Sequence, residues 1–497
     1  MHCGGRTRVS AYRKLEARFA RQADIEGAVA VLHWDHQVMM PPGGTEARAE
    51  QLATLESLAH EILTAPETGE LLDEAAGEPL GPWPAANLRE MRRAHTHATA
   101  VPADLVAALA RATANAEPVW REARASADFA LLLPALEEVV RLTREEAAAK
   151  AEALGLAPYD ALLDGYEPGA TTAAVDRLFD PLAETLPGLL ERVLAHQGDV
   201  PALDLRIDPE RQQALGRRLM TALGFDFAHG RLDQSLHPFC GGVPDDVRLT
   251  ARWDPADPAS GLMAILHETG HALYNANLPR PWRRQPVGEP RSTAVHESQS
   301  LLVEMQICRS PAFFRYLAPL LAEANGGCGP TPDALYRNAI RVGRGFIRVD
   351  ADEVTYPLHV ILRYRLEKAL VEGELAVADL PAAWNEGMRD LLGVVPPDDR
   401  LGCLQDIHWP AGAIGYFPCY TLGAIIAAQL REAAAEALPD LDASLEAGDF
   451  RPLTAWAREK IHAQGCFLET PELILAATGR PLSLQPFLAH LERRYLA

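Results

Sequence analysis

The sequence predicts a mainly α-helical protein. Ala and Leu dominate long stretches, while aromatics supply only 6% of the residues, a mixture that favours helix over strand. Apolar residues recur at three- and four-residue spacing through most of the first half, the period of an amphipathic helix. Strand-like alternation is clearest in one short run, Val247-Arg248-Leu249-Thr250-Ala251-Arg252-Trp253.

In chain order, helices are expected over residues 11–32, 45–64, 103–116, 130–154 and 172–196. Breaks fall where Pro and Gly cluster, at Met40-Pro41-Pro42-Gly43-Gly44 and at Tyr166-Glu167-Pro168-Gly169. Residues 229–254 collect Gly, Pro and Asp around the alternating run and carry the strand character. Helical periodicity resumes at 261 and persists to the C-terminus. Its main late interruption is Pro396-Pro397-Asp398-Asp399 with the Gly-rich stretch 402–423. No internal repeat or low-complexity linker divides the chain, so residues 1–497 read as a single domain.

Lys and Arg total 47 against 68 Asp and Glu, a net charge of −21 that repels nucleic acid and anionic lipid. The seven Cys are odd in number and none is in C-x-x-C spacing, which argues against a disulfide framework and a Cys-type zinc site. The first eight residues, Met1 to Arg8, lead into no apolar h-region, and no run of 18 apolar residues occurs. A cytoplasmic protein with no nucleic-acid or membrane partner is expected.

The chemistry concentrates at His267-Glu268-Thr269-Gly270-His271. Two histidines four apart on a helix present both imidazoles on one face, one turn apart, which suits two ligands of one zinc. Glu268 projects near the same edge and can reach a metal-activated water without ligating the ion, as a general base must. Leu262, Met263, Ile265, Leu266, Ala272 and Leu273 bury this helix, and Gly270 leaves room for a neighbouring backbone or the metal. Catalytic zinc takes three protein ligands and keeps a position for water. The third is expected from His296-Glu297-Ser298-Gln299-Ser300, which opens another apolar helix over 294–308. Glu297 is favoured, because a helix–loop–helix with Glu as third ligand resembles a known zinc-peptidase arrangement; His296 is its rival. Glu304 is either support for a ligating histidine or a solvated carboxylate.

Several blocks together resemble the carboxypeptidase Taq family of zinc metallocarboxypeptidases. They are Trp34-Asp35-His36 with Met40-Pro41, then Tyr159 to Asp164, Glu167-Pro168-Gly169, His237-Pro238-Phe239 and Asp246-Val247-Arg248-Leu249-Thr250. The zinc motif and His296 to Ser300 follow. Ile347 to Asp352, Gly402 to Trp409 and Gly415-Tyr416-Phe417-Pro418 close a series ordered over residues 10–495. His36, Leu301 and Val303 depart from the family pattern without touching a proposed ligand. The resemblance implies a large helical two-lobed fold with a deep active-site groove and a small β-sheet at the groove edge. It also implies one zinc per chain, a homodimer, and removal of C-terminal residues from peptide substrates with broad specificity.

Within that reading, the late Gly-rich segment should supply an electrophile for the oxyanion. His408 and Tyr420 are read as catalytic and Tyr416 as substrate-binding, with the oxyanion role open among the three. A free carboxylate is best recognised by an arginine fork. Arg348 is the first choice, on a helix face shared with Arg341 and Arg344 and oriented by Asp350 and Asp352. The 246–250 run reads as an edge strand for extended peptide, and its Arg248 as a second anchor or a structural ion pair. His237 is read as loop packing, His95 and His97 as surface residues of a polar helix, and Trp34-Asp35 as packing. A helical zinc endo-oligopeptidase would share the metal site but not the carboxylate anchor. An inactive binding scaffold would have no use for Glu268.

Overall fold

The computed structural model describes residues 9–200, 203, 205–235 and 238–497, so His237 lies outside the described residues. Helices stand where the periodicity places them, as Ala11–Val38, Thr45–Thr64, Ala103–Ser126, Phe129–Leu154 and Thr172–Gln197. Their ends follow local chemistry. The Asp128 side chain accepts from the Ala130 N–H at the start of Phe129–Leu154, and Gly155 closes that helix in the left-handed region at φ 68°. Two further helices, Pro66–Ala75 and Pro82–Ala100, each begin on a proline, whose missing N–H costs nothing in a first turn.

The sheet has three strands, β1 (Gly230–Gln234), β2 (Cys240–Val243) and β3 (Asp246–Ala251), in the order β1-β3-β2. β1 runs parallel to β3, with Leu232 opposite Leu249, and β2 runs antiparallel to it, with Cys240 opposite Leu249. This corrects the expectation for 246–250. β3 is central, not an edge, and its Val247, Leu249, Thr250 and Ala251 are all buried. β2 is an edge strand, and its first residue, Cys240, lines the groove.

A second correction concerns the arginines. The helix Pro332–Ala339 ends before Arg341, residues 341–347 are not helical, and Arg348–Asp350 is a single 3-10 turn. The Gly343 N–H donates to the Asp352 carboxylate instead of a helical carbonyl, so the three arginines share no helix face.

One apolar core runs from Trp120 to Tyr495, and a smaller one joins Tyr12, Leu15, Phe19, Leu72 and Met91 near the N-terminus. A groove of about 980 Å³ opens across the large core. Its walls come from the helix Pro258–Ala276, the start of β2, the Arg348–Asp350 turn and the segment around Tyr416 and Tyr420. Among the described residues, no helix is long and apolar enough to cross a membrane.

Candidate active site

Two helices deliver the candidate metal-ligating groups. The Asp257 side chain caps Pro258–Ala276 by accepting from the Ser260 N–H at 3.1 Å, and this helix carries His267, Glu268 and His271. The Ser292 hydroxyl caps Thr293–Leu301 by accepting from the Val295 N–H at 3.2 Å, and this helix carries Glu297. Glycines let the second helix sit close on both sides. A Cβ on Gly270 would lie 2.6 Å from the Ser300 Cα, and a Cβ on Gly423 would lie 2.8 Å from the Glu297 Cγ. The room that Gly270 leaves is therefore filled by neighbouring backbone.

Ligand atoms of His267, His271 and Glu297 all lie within 4.8 Å of one another. The Glu297 Oε2 is 3.8 Å from the His267 Nε2 and 3.5 Å from the His271 Nε2. Two imidazole nitrogens and one carboxylate oxygen fit a catalytic divalent ion with an open position. The tautomer fits as well. Nδ1 of His267 lies 3.0 Å from the Glu304 Oε2, a hydrogen bond that makes Nδ1 the donor and turns Nε2 toward the other two groups. Burial pushes Glu297 up, but the positive charge that His267 and His271 carry when protonated, with hydrogen bonds from His271 and Ser300, outweighs it and holds the carboxyl down at about 2. His296 does not join the group. It stacks on His271 with ring centroids 4.4 Å apart and 15° between planes.

Glu268 lines the groove beside these ligands. Burial raises its pKa, against the lowering effect of the two histidines, which brings a carboxylate closer to the working range of a general base. Glu304 is settled as support for His267. It is buried on a π-helical turn, Leu302–Ile307, and its other oxygen accepts from the Arg309 Nη2 at 2.7 Å.

Arg348 also lines the groove, but it is 5% exposed and its fork is largely engaged. Its Nε and Nη2 donate to the Asp406 Oδ1 at 3.2 and 2.9 Å, and its Nη1 donates to the Tyr356 hydroxyl at 3.1 Å. Arg363 donates to the other oxygen of Asp406 at 2.6 Å, so two guanidiniums share one carboxylate and the cluster keeps net positive charge. Asp406 thus orients Arg348, in place of the expected Asp350 and Asp352. Asp350 is exposed, and Asp352 accepts from the backbone of Gly343, Val354 and Thr355. Arg344 is drawn off to Glu191, while Arg341 is exposed on the groove wall.

Tyr416 and Tyr420 line the groove, and His408 stands behind them with its Nε2 3.2 Å from the Tyr420 hydroxyl. Of the three candidates for the oxyanion role, the two tyrosines therefore face the groove, and Tyr420 stands between His408 and it. Burial drives His408 down to about 4, with Arg348 and Arg363 assisting against Asp406, so it is a neutral ring at pH 7. Burial raises Tyr420 to about 12, which keeps its O–H a donor. Arg248 is not on the groove wall. It pairs with Asp246 at 2.6 Å and lies over the Trp34 ring at 4.4 Å, the structural ion pair of the two expected roles. His97 is only partly exposed and bonds to Asp164 at 2.7 Å, so the surface reading fails for it.

Sequence reasoning had no signal for the roles of Tyr356, Arg363 or Arg309, since each acts on a partner set by the tertiary fold.

A helical fold whose groove holds a His-x-x-x-His pair, a third carboxylate and an adjacent Glu defines a metallopeptidase. Comparison with known proteins agrees. The family model described as carboxypeptidase Taq (M32) metallopeptidase matches residues 14–495. The chain is 40% identical to the thermostable carboxypeptidase 1 of Thermus thermophilus, over 98% of this chain and 99% of that one. It is 34% identical to carboxypeptidase 1 of Bacillus subtilis, over 94% of each. Among solved structures, metallocarboxypeptidase 1 of Trypanosoma cruzi superposes with a TM-score of 0.96 at 40% identity, covering 98% of this chain and 99% of that one. The chain belongs to the carboxypeptidase Taq family of metallopeptidases and is a metallocarboxypeptidase.

Proposed function

We propose that this chain is a single zinc-dependent catalytic domain that removes C-terminal residues from peptides with broad side-chain tolerance. The observation that carries this reading is the convergence, on one groove, of the His267–His271–Glu297 triad, Glu268 and the Arg348 cluster. When bound at the triad, zinc supplies Lewis acidity, polarising the scissile carbonyl and lowering the pKa of a water toward about 7.

The residues of the chain perform the remaining work. The net positive charge of the Arg348–Arg363–Asp406 cluster attracts the substrate's terminal carboxylate, with Arg348 at the groove surface. Glu268 takes the proton of the attacking water and returns it to the leaving amine nitrogen, so no net proton is consumed. The Tyr420 O–H donates to the developing oxyanion, held in place by His408. Tyr416 forms the adjoining groove wall, packed at 5.2 Å against Tyr420. We read the working unit as a homodimer, on the family resemblance alone.

The test is a mixed peptide pool incubated with the protein, with and without a chelator, and read by mass spectrometry. Stepwise loss from C-termini, abolished by chelation and restored by zinc, is expected. Internal cleavage of peptides with amidated C-termini, as fast as of the free acids, would establish the endo-oligopeptidase instead.

A further inference from the structure

The two ligating histidines are held in different ways. His267 has the usual arrangement, its Nδ1 anchored on the Glu304 carboxylate at 3.0 Å. The Nδ1 of His271 is buried and has no hydrogen-bond partner among the described residues. The His271 ring is instead covered by a second ring, that of His296, at 4.4 Å and 15°.

His296 is itself fixed. Its Nε2 lies 3.0 Å from the Oδ1 of Asn275, which stands one turn beyond His271 on the same helix. The Asn275 Nδ2 donates toward the Cys240 Sγ at 3.9 Å, which turns the Oδ1 to the histidine and makes Nε2 the donor. On the helix that carries His296, Glu297 is the next residue. Behind the ring stand Tyr274, at 5.5 Å, and then His462, 5.1 Å from Tyr274. Both of these outer pairs are tilted by 32°, so the stacked pair is His271–His296, with the Asn275 clamp on the second ring.

We propose that His296, clamped by Asn275, is a positioning residue that sets the ring plane of His271 for metal binding, replacing by stacking the hydrogen bond that His271 lacks. The inference rests on the proposed metal site and deepens it. A bare imidazole can turn about its side-chain torsions, and an Nδ1 hydrogen bond normally stops that motion. A flat ring pressed on one face stops it as well, because rotation out of plane would drive the edge of His271 into His296. A metal-bound imidazole also remains free to stack, since ligation uses its in-plane Nε2.

The full-length chain, stripped of metal, is titrated with zinc against a chromophoric chelator for the wild type, His296→Ala, His296→Phe and Asn275→Ala. Each protein is also loaded with cobalt(II), whose visible bands report ligand geometry, and its metal-free thermal unfolding is recorded. His296→Ala should weaken zinc binding about 10- to 100-fold, the range seen when a group holding a metal ligand is lost, and shift the cobalt bands. His296→Phe, which keeps a flat ring but no hydrogen bond, should recover most of the affinity. Asn275→Ala should fall between. Zinc affinity in His296→Ala equal to wild type, or a Phe variant as weak as the Ala variant, overturns the proposal. Should His296→Ala fail to fold, Asn275→Ala decides, and wild-type affinity there overturns it. Zinc binding that survives Glu297→Ala undiminished would bring down the metal site itself, and the positioning role with it.

Discussion

At the scale of single residues, the proposed roles of Glu268 and Arg348 are separable by experiment. Glu268 is expected to move a proton and not to ligate, so Glu268→Gln should keep its metal by elemental analysis while kcat falls about 10²- to 10⁴-fold. Near-normal turnover in the metal-loaded variant would remove the base assignment. Arg348 needs a subtler test, because its loss also leaves Asp406 with Arg363 as its one remaining guanidinium partner among the described residues. Comparing free-acid with amidated peptides cancels that structural part, since both substrates meet the same enzyme. A charge-assisted pair of this kind is worth about 2–4 kcal/mol, or roughly 30- to 1000-fold in kcat/KM. The wild type should discriminate by that factor, and Arg348→Ala should be nearly indifferent to amidation, because either change alone breaks the same contact. An Arg348→Ala enzyme that still discriminates fully would move the anchor elsewhere on the groove wall, with Arg341 exposed there.

At the scale of elements, the site depends on how closely the Glu297 helix approaches its neighbours. Gly270→Ala sets two effects against each other. Ala is worth up to about 1 kcal/mol over Gly in a helix interior. Against this, the added methyl would meet the Ser300 backbone at 2.6 Å, and backbone cannot rotate away as a side chain can. Overpacking of this kind costs about 1–3 kcal/mol, so the clash should win. Urea unfolding should show a net loss of stability, and metal titration should show weaker binding as Glu297 is pushed from His267 and His271. A more stable variant with unchanged affinity would mean that the two helices separate without cost. At this scale the long helices of the first half were legible from apolar period and from Pro and Gly boundaries, whereas Pro66–Ala75 and Pro209–Leu223 were not placed. The 341–348 segment was not, because arginines at three- and four-residue spacing also occur by chance, and Gly343 and Gly345 carry no helical preference.

At the scale of the whole molecule, the C-terminal helix Gln485–Leu496 is tied to the groove wall through Glu353. This buried carboxylate accepts from the His490 Nε2 at 2.9 Å, the Arg494 Nη1 at 3.0 Å, the Gln306 Nε2 at 3.0 Å and the Tyr495 hydroxyl at 3.2 Å. Burial alone would raise its pKa, but His490 and Arg494 outweigh that and hold it at about 2 against an ordinary 4.5. A carboxyl with a depressed folded pKa stabilises the fold above its unfolded value and loses that contribution as pH falls through the folded one. The stabilisation, on the order of 3 kcal/mol for such a shift, is therefore complete near neutrality and drains away between about pH 4.5 and 2. Unfolding free energy of the wild type minus that of Glu353→Gln should shrink across that window and stay flat above it. A difference independent of pH would show that the carboxylate charge contributes nothing.

The sequence by itself determined the parts of this protein that depend on neighbours a few residues apart. The helices follow from apolar period, and the paired histidines with Glu268 follow from the geometry of one helical turn. That a third ligand opens the next apolar helix, after a loop long enough to return, was legible; the preference for Glu297 over its neighbour His296 came from likeness to a known zinc-peptidase arrangement. What only the tertiary structure decided involves partners far apart in the chain, where spacing carries no geometric information. Arg348 and Asp406 are 58 residues apart, and nothing near either one shows that they meet. Asp350 and Asp352 looked like the natural partners of Arg348 because they are near in sequence, but the 3-10 turn leaves one exposed and commits the other to backbone N–H groups. The position of β3 between two strands, the withdrawal of His408 behind Tyr420 and the stacking of His296 on His271 belong to the same class. Local period fixes which face of an element is apolar; which element then packs against that face is settled by burial across the whole chain.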